Sequence, residues 1–332
     1  MKAIVFDEIG SPLDVLQFRD VPIPEIRDNE VLVKMVSASI NPGDFLFIQN
    51  LYPEPRKPHF PEQIAGNAGA GVIAKAGKKV SLRPGTLVAF YYYNAWAEYA
   101  VIAAEWLIPV PASLPPEKSS QFQNAITAWD LLRESQVQPG QWLAVTAGNS
   151  SVATKVLQFA NLEKVNVLSI VRRAEKGLDL KAWGAREVIE LSTAGGNLGE
   201  RIKKITNNKG LDAVIDSVGG PLLADLVRSL VSWDGKVVIY GGYSPSKFQL
   251  HNFDILMKGV TIKPYAYRYF FTPPKKEDRK KLQEIAKVFA QPAFKVRVGG
   301  MHRLEDYRAA IEETLSRPER GKRFFSMSNG NR

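Results

Sequence analysis

The sequence predicts an α/β protein in which a doubly wound, Rossmann-type sheet of six strands is inserted into a largely β domain. Three observations predict it. Residues 1–118 are rich in Pro and Gly and carry short β-like runs. Residues 119–263 alternate apolar runs with amphipathic stretches, which implies a parallel sheet covered on both faces. Residues 264–332 are too short to form a domain alone and are expected to return to the first one. At 332 residues the chain has room for about two domains with a large core.

In chain order, strands are expected at Lys2–Phe6, Val31–Val36, Gly69–Ala74, Thr86–Phe90 and Glu98–Ile102. The alternating region offers strands at Trp142–Thr146, Asn166–Val171, Glu187–Leu191, Ala213–Asp216, Lys236–Tyr240 and Thr261–Lys263. Helical patterns fall at Val152–Ala160, Glu175–Trp183, Leu198–Ile205 and Leu222–Val231. Two more helices, Lys276–Phe289 and Leu304–Leu315, precede a last strand, Lys322–Phe325.

Composition excludes several chemistries. With no cysteine there is no disulfide, thiolate zinc site, iron–sulfur cluster or cysteine nucleophile, and the three histidines lack metal-ligand spacing. No metal site is expected. No apolar stretch approaches the roughly 18 residues that span a bilayer, so no membrane partner is expected either. The N-terminus runs directly into a strand, which points to a cytoplasmic protein without a targeting peptide. The net charge is +10, and Pro264–Arg332 holds 16 Lys and Arg against 8 Asp and Glu. Such a basic tail suits a solvated helix face, or a rim that attracts phosphorylated ligands or nucleic acid. No base-reading motif accompanies it, which ranks nucleic acid below a small-molecule substrate.

The first β–α turn of a doubly wound sheet receives a pyrophosphate over a helix N-terminus. Here the turn reads Gly148-Asn149-Ser150-Ser151-Val152-Ala153, with one glycine of the usual three in place. At the end of the second strand, Arg172 and Arg173 stand where an acid would grip the ribose hydroxyls of NAD. Two guanidiniums suit a 2′-phosphate, so the expected cofactor is NADPH.

Ala38-Ser39-Ile40-Asn41-Pro42-Gly43-Asp44, Gly66-Asn67-Ala68-Gly69-Ala70-Gly71 and Trp96-Ala97-Glu98-Tyr99 resemble the medium-chain dehydrogenase/reductase superfamily across essentially the whole chain. In its zinc alcohol dehydrogenases a Cys and a His occupy the places of Asn41 and Asn67, so the likeness is to the zinc-free branch of quinone oxidoreductases and 2-enoyl thioester reductases. Ile40 to Tyr52 resembles the I-N-P-x-D-x-x-x-I-Q-G-x-Y of mitochondrial-type trans-2-enoyl-CoA (or acyl-carrier-protein) reductases. The cofactor turn is close to their N-S-G-V-G, and Tyr240-Gly241-Gly242 completes the likeness.

The resemblance implies a GroES-like substrate domain at 1–118 and 264–332 around an NADPH-binding domain at 119–263. It implies Tyr52 as the catalytic residue, with Asn124 and Tyr240, Gly241, Gly242 and Tyr243 beside the nicotinamide. It puts Asn149, Ser150, Ser151 and Val152 on the pyrophosphate, Arg172 and Arg173 on the 2′-phosphate, and Tyr265, Tyr267, Arg268 and Lys322 near the cofactor. Asn41, Tyr91, Tyr93 and Tyr269 are candidates for the substrate pocket. Ala68, Asn50, Ser151 and Ala153 depart from the family pattern.

The expected reaction is conjugate reduction of an enoyl thioester, with hydride passing from NADPH to the β-carbon and Tyr52 acting as electrophile or proton donor. An NADPH:quinone or alkenal reductase is the alternative, and an NADPH-responsive nucleic-acid-binding protein ranks third. The strand near Thr261 is a candidate sheet edge that pairs across a two-fold axis, giving a homodimer.

Overall fold

The computed structural model describes residues 1–52, 56–192, 197–231 and 233–327. The chain divides into two compact units, Met1–Ala125 with Arg268–Arg332, and Ile126–Tyr267.

The second unit holds a six-stranded sheet whose neighbours are all parallel. Its strands are Trp142–Val145, Asn166–Val171, Glu187–Glu190, Ala213–Asp216, Lys236–Ile239 and Thr261–Pro264. Their order across the sheet is third, second, first, fourth, fifth, sixth, the order of a dinucleotide-binding fold. The strands are apolar runs because both faces are covered: on one face Leu168, Ile170, Val214 and Val237 pack with Ile202, Leu223, Leu226 and Val227 from the flanking helices, and on the other Leu143, Val145, Val167, Ile215 and Val238 are fully buried. Helix Leu198–Ile205 starts at Asn197, whose Oδ1 accepts from Gly199 N at 2.8 Å. Helix Gly220–Arg228 starts with Pro221 in its first turn.

One expected helix does not form. Glu175–Trp183 is a run of turns, because Gly177 and Gly184 adopt φ of 86° and 106° at its two ends and the Asp179 carboxylate caps the N–H groups of Lys181 and Ala182. A helix that the pattern did not reveal spans Phe122–Glu134. Most of its faces are buried, so it lacks the polar stripe that makes a helix visible in sequence.

The first unit has a three-stranded sheet and a larger mixed one. The long strand Glu30–Ser39 is central to the larger sheet, pairing with Ala68–Ala76, with Tyr99–Ala103 and with Lys322–Ser326. It alternates buried and open positions along most of its length, as a half-covered antiparallel strand should. The C-terminal residues return here: Leu304, Tyr307, Ala310, Ile311 and Phe325 share a core with Val31, Val33, Met35 and Trp96. Helix Pro42–Ile48 leaves the end of Glu30–Ser39 with Asn41 as N-cap and Pro42 at its first position. Among the described residues no helix is long and apolar enough to cross a membrane.

Candidate functional site

In the first unit, helix Pro42–Ile48 sets the candidate tyrosine. Tyr52 follows it closely, half-buried, with its hydroxyl 3.3 Å from that of Tyr91, which ends strand Leu87–Tyr91. Either phenol can donate. The ring of Tyr52 meets Phe270 edge-on at 5.1 Å, and Tyr91 is tilted on the same ring at 5.9 Å. Gly43 makes room for the pair: a Cβ there would collide with Tyr52 Oη. Gly43→Ala should therefore displace the phenol and lower turnover about tenfold or more. In a Tyr52→Phe background, where no hydroxyl remains to collide, the same change should cost little further activity, as a double-mutant cycle of kcat will read.

Burial pushes the Tyr52 phenol above its ordinary pKa; the Tyr91 hydrogen bond opposes this, Asp44 adds to it and Arg56 opposes it. Tyr91 is pushed up further, again by burial first. Tyr52 is thus the more acidic of the two.

Beneath the pair lies a buried polar network. Asp44, 1% exposed, accepts from the N–H of Asn41 at 2.6 Å and of Asn67 at 2.8 Å, capping the helix from its third residue. Asn41 donates through Nδ2 to Ser39 Oγ and accepts through Oδ1 from Lys322 Nζ, both at 3.0 Å. Lys322 also donates to Ile40 O at 3.0 Å. Asn67 donates to Gly43 O at 3.2 Å, and its buried Oδ1 has no partner among the described residues. Burial dominates both ionisable groups, raising Asp44 to about 6 and lowering Lys322 to about 8, against a weaker mutual attraction.

A carboxyl raised from 3.8 to about 6 on folding binds more protons in the folded chain. Its contribution is full below pH 4 and is lost as pH rises through 6, a change of about 3 kcal/mol. Asp44→Asn does not titrate there. Its stability relative to the parent should therefore rise between pH 4 and pH 7, measured by denaturant unfolding at each pH.

The other pocket candidates are also in the first unit. Tyr93 is half-buried against Phe47, with ring centroids 5.3 Å apart, and Tyr269 is buried at 4% exposure. Asn124 is buried in helix Phe122–Glu134, and Arg268 is exposed.

In the second unit, four candidate segments follow the carboxyl ends of parallel strands, where such sheets bind ligands. Asn149, Ser150, Ser151 and Val152 form the turn between Trp142–Val145 and helix Ala153–Leu162. Gly148 brings this turn against the second strand, where a Cβ would collide with the buried Ser169 Oγ. Tyr240 follows the fifth strand; burial raises its phenol, and the hydroxyls of Ser217 and Ser150 oppose the rise. Tyr240 and Ser150 thereby bring two of the candidate segments near each other. Gly242 opens onto free space, Gly241 packs close to Ser217, and Tyr243 is 77% exposed. Asp216, buried, ties the strand ends together by accepting from Thr146 Oγ1 at 2.7 Å and Gly219 N at 2.8 Å.

Arg172 and Arg173 are exposed at the end of the second strand. Arg173 and Asn149 line one cleft of about 220 Å³, with Val171, Leu178 and the acidic Glu175 and Asp179. Arg172 does not line it. Tyr265 is partly buried and donates to Asp130 Oδ2 at 3.1 Å, and Tyr267 is partly buried beyond it. A glycine-opened turn over strand ends, with a cleft holding a guanidinium and an amide, fits a dinucleotide.

Three residues escaped the sequence reading. Asp44 was visible as a cap signature, three residues after Asn41. Lys155, 1% exposed, donates to Ser151 O and Oγ at 3.0 and 3.1 Å, placing a buried ammonium at the candidate cofactor turn. Arg56, 2% exposed, had no local signal at all.

Comparison with known proteins gives two family models, "Alcohol dehydrogenase GroES-like domain" over residues 27–112 and "Zinc-binding dehydrogenase" over residues 152–286. The chain is 28% identical to the mitochondrial enoyl-[acyl-carrier-protein] reductase of Xenopus tropicalis, over 94% of this chain and 91% of the relative. It is 31% identical to the Homo sapiens enzyme of the same name, over 73% of this chain and 66% of the relative. A solved Bacillus thuringiensis protein assigned as an NADPH:quinone reductase matches with a TM-score of 0.86 and 27% identity, over 98% of each chain.

The expected cytoplasmic placement is corrected by these relatives. The enoyl reductases from frog, yeast, nematode, human, rat, mouse and Arabidopsis thaliana are mitochondrial by name. An N-terminal strand was a weak guide, because it reports local structure and not address.

The second model's name refers to zinc, yet the sequence has no cysteine, and the family resemblance sets Asn41 and Asn67 at the two ligand places. Among the described residues no group of three His, Cys, Asp or Glu could hold a metal ion. The chain is an oxidoreductase of the zinc-independent branch of the medium-chain dehydrogenase/reductase superfamily, related to mitochondrial-type enoyl reductases and to quinone oxidoreductase-like structures.

Proposed function

We propose that the chain reduces the activated C=C bond of a trans-2-enoyl thioester, with NADPH as cofactor and Tyr52 as the group that meets the developing oxyanion and supplies the proton. The observation that carries this reading is the phenol pair: a Tyr52 hydroxyl seated on Gly43, 3.3 Å from Tyr91, at the end of the motif shared with enoyl thioester reductases. When bound, NADPH supplies the hydride. The chain's own work is to bind and orient, and to hold a proton at Tyr52 Oη. Asn149 to Val152 offer backbone N–H groups and hydroxyls to a pyrophosphate, while Arg172 and Arg173 offer charge to the 2′-phosphate. Asn124, Tyr240–Tyr243, Tyr265–Arg268 and Lys322 serve the rest of the cofactor. Asn41, Tyr91, Tyr93 and Tyr269 belong to the substrate side, within a substrate domain formed by the first and last segments of the chain. The relatives named enoyl reductases support the thioester, and the Bacillus thuringiensis match supports NADPH.

The test is NADPH oxidation with crotonyl-CoA, a naphthoquinone and a short alkenal. A kcat/KM that favours crotonyl-CoA by about 100-fold or more supports the reading, and a preference for the quinone replaces it. The chain is also proposed to form a homodimer. Strand Thr261–Pro264 is an open sheet edge, and the exposed Phe253, Leu256 and Met257 lie on the short helix Asn252–Leu256 and just after it. A monomeric mass by light scattering would remove this part.

A further inference from the structure

Arg56 buries a guanidinium, which calls for partners on its donors. Nε and Nη2 both donate to Phe270 O, at 2.9 and 2.7 Å. Nη1 donates to Tyr92 O at 2.6 Å, and Nη2 reaches Tyr91 O at 3.5 Å. The guanidinium carbon also lies 4.8 Å from the ring centroid of Phe270, 4.9 Å from Tyr93 and 5.0 Å from Tyr91. Among the described residues its partners are carbonyls and ring faces, not a carboxylate. One side chain thus grips both the end of strand Leu87–Tyr91 and the aromatic segment that contains Phe270. These segments carry the rings that Tyr52 touches.

We propose that Arg56 is the positioning residue of the phenol pair: it clamps the Phe270 carbonyl and the Tyr91–Tyr92 backbone, so that Tyr91 donates to Tyr52 and Tyr52 keeps its own proton for the substrate. The inference rests on the reading of Tyr52 as proton donor. In that step the Tyr52 O–H bond breaks and a C–H bond forms at the substrate's α-carbon. The hydride at the β-carbon comes from NADPH, which is oxidised to NADP⁺. The electron pair left on Tyr52 oxygen is held by the Tyr91 hydrogen bond and faced by the Arg56 charge until water returns the proton. Three groups bear on Tyr52 besides burial: Asp44 pushes its phenol up, while Tyr91 and Arg56 bring it down. Tyr91 stays protonated, and so available as donor, because burial pushes it up further still.

The test uses the full-length protein with NADPH and whichever substrate the screen selects. Arg56→Met should lower kcat about tenfold or more and leave KM within about twofold. The ¹³Cζ resonance of Tyr52, identified by its loss in Tyr52→Phe, should titrate at higher pH. Arg56→Lys keeps the charge without the two-point grip on Phe270 O, so the titration should return towards the parent's while kcat stays low. A purely packing role would move neither the titration nor kcat separately from KM.

If Arg56→Met has the parent's titration and kcat while Tyr52→Phe is inactive, the proposal is overturned. If Tyr52→Phe turns over normally, the parent reading fails instead, and the Tyr52 resonance still reports whether Arg56 sets the pair. Should Arg56→Met not fold, Tyr91→Phe decides, because it removes the donor and leaves Arg56 in place. It should raise the Tyr52 titration and lower kcat, and parent values for both would overturn the proposal.

Discussion

Tyr52→Phe should reduce turnover of an enoyl thioester by about 10²- to 10³-fold while NADPH binding stays within about twofold. The change removes one oxygen and keeps the ring, so the edge-on packing against Phe270 and the surrounding core survive. What disappears is the donor that meets charge as it develops, and such donors are each worth about 3 kcal/mol or more of barrier. Tyr91 cannot take over, because its hydroxyl is more deeply buried and its pKa is pushed well up. The loss should fall on kcat with KM nearly unchanged, since the interaction strengthens only as charge forms. A single-turnover measurement of NADPH oxidation separates this step from product release. Parent-like single-turnover rates would remove Tyr52 from the chemistry and leave it a packed aromatic.

The second unit was the more legible part of the fold. Strands buried on both faces are written as mostly apolar runs, so Asn166–Val171 and Ala213–Asp216 could be read to the residue. The false helix at Glu175–Trp183 has the opposite cause. Its apolar spacing suits a helix, but two left-handed glycines and the Asp179 turn override that spacing. In the site, motif positions were readable and partnerships were not. Asn41 and Lys322 stand 281 residues apart, and their hydrogen bond exists only because the last strand pairs with the strand before helix Pro42–Ile48. Arg56 is the extreme case. Its hydrogen-bond partners are carbonyls of residues 91, 92 and 270, and backbone acceptors leave no residue-type signature in a sequence.

Replacing both Arg172 and Arg173 by Gln should weaken NADPH by about 10²-fold and leave NADH within about threefold, as read by fluorescence titration of each cofactor. Both side chains are exposed, so each charge-assisted contact to a 2′-phosphate is taken at the low end, about 1.5 kcal/mol. Two such contacts give about 3 kcal/mol, or about two orders of magnitude. The two arginines should not contribute equally. Arg173 shares a cleft with Asn149 of the proposed pyrophosphate turn, and Arg172 does not line it, so Arg173→Gln should account for more than half of the loss. Glu175 and Asp179 in the same cleft make the surroundings less favourable to an anion once Arg173 is gone, which works in the same direction. The parent's preference for NADPH should also shrink with added salt, because exposed charges are screened within about 10 Å at 0.1 M. Equal losses for NADPH and NADH would mean that the arginines shape the strand end and do not hold the phosphate.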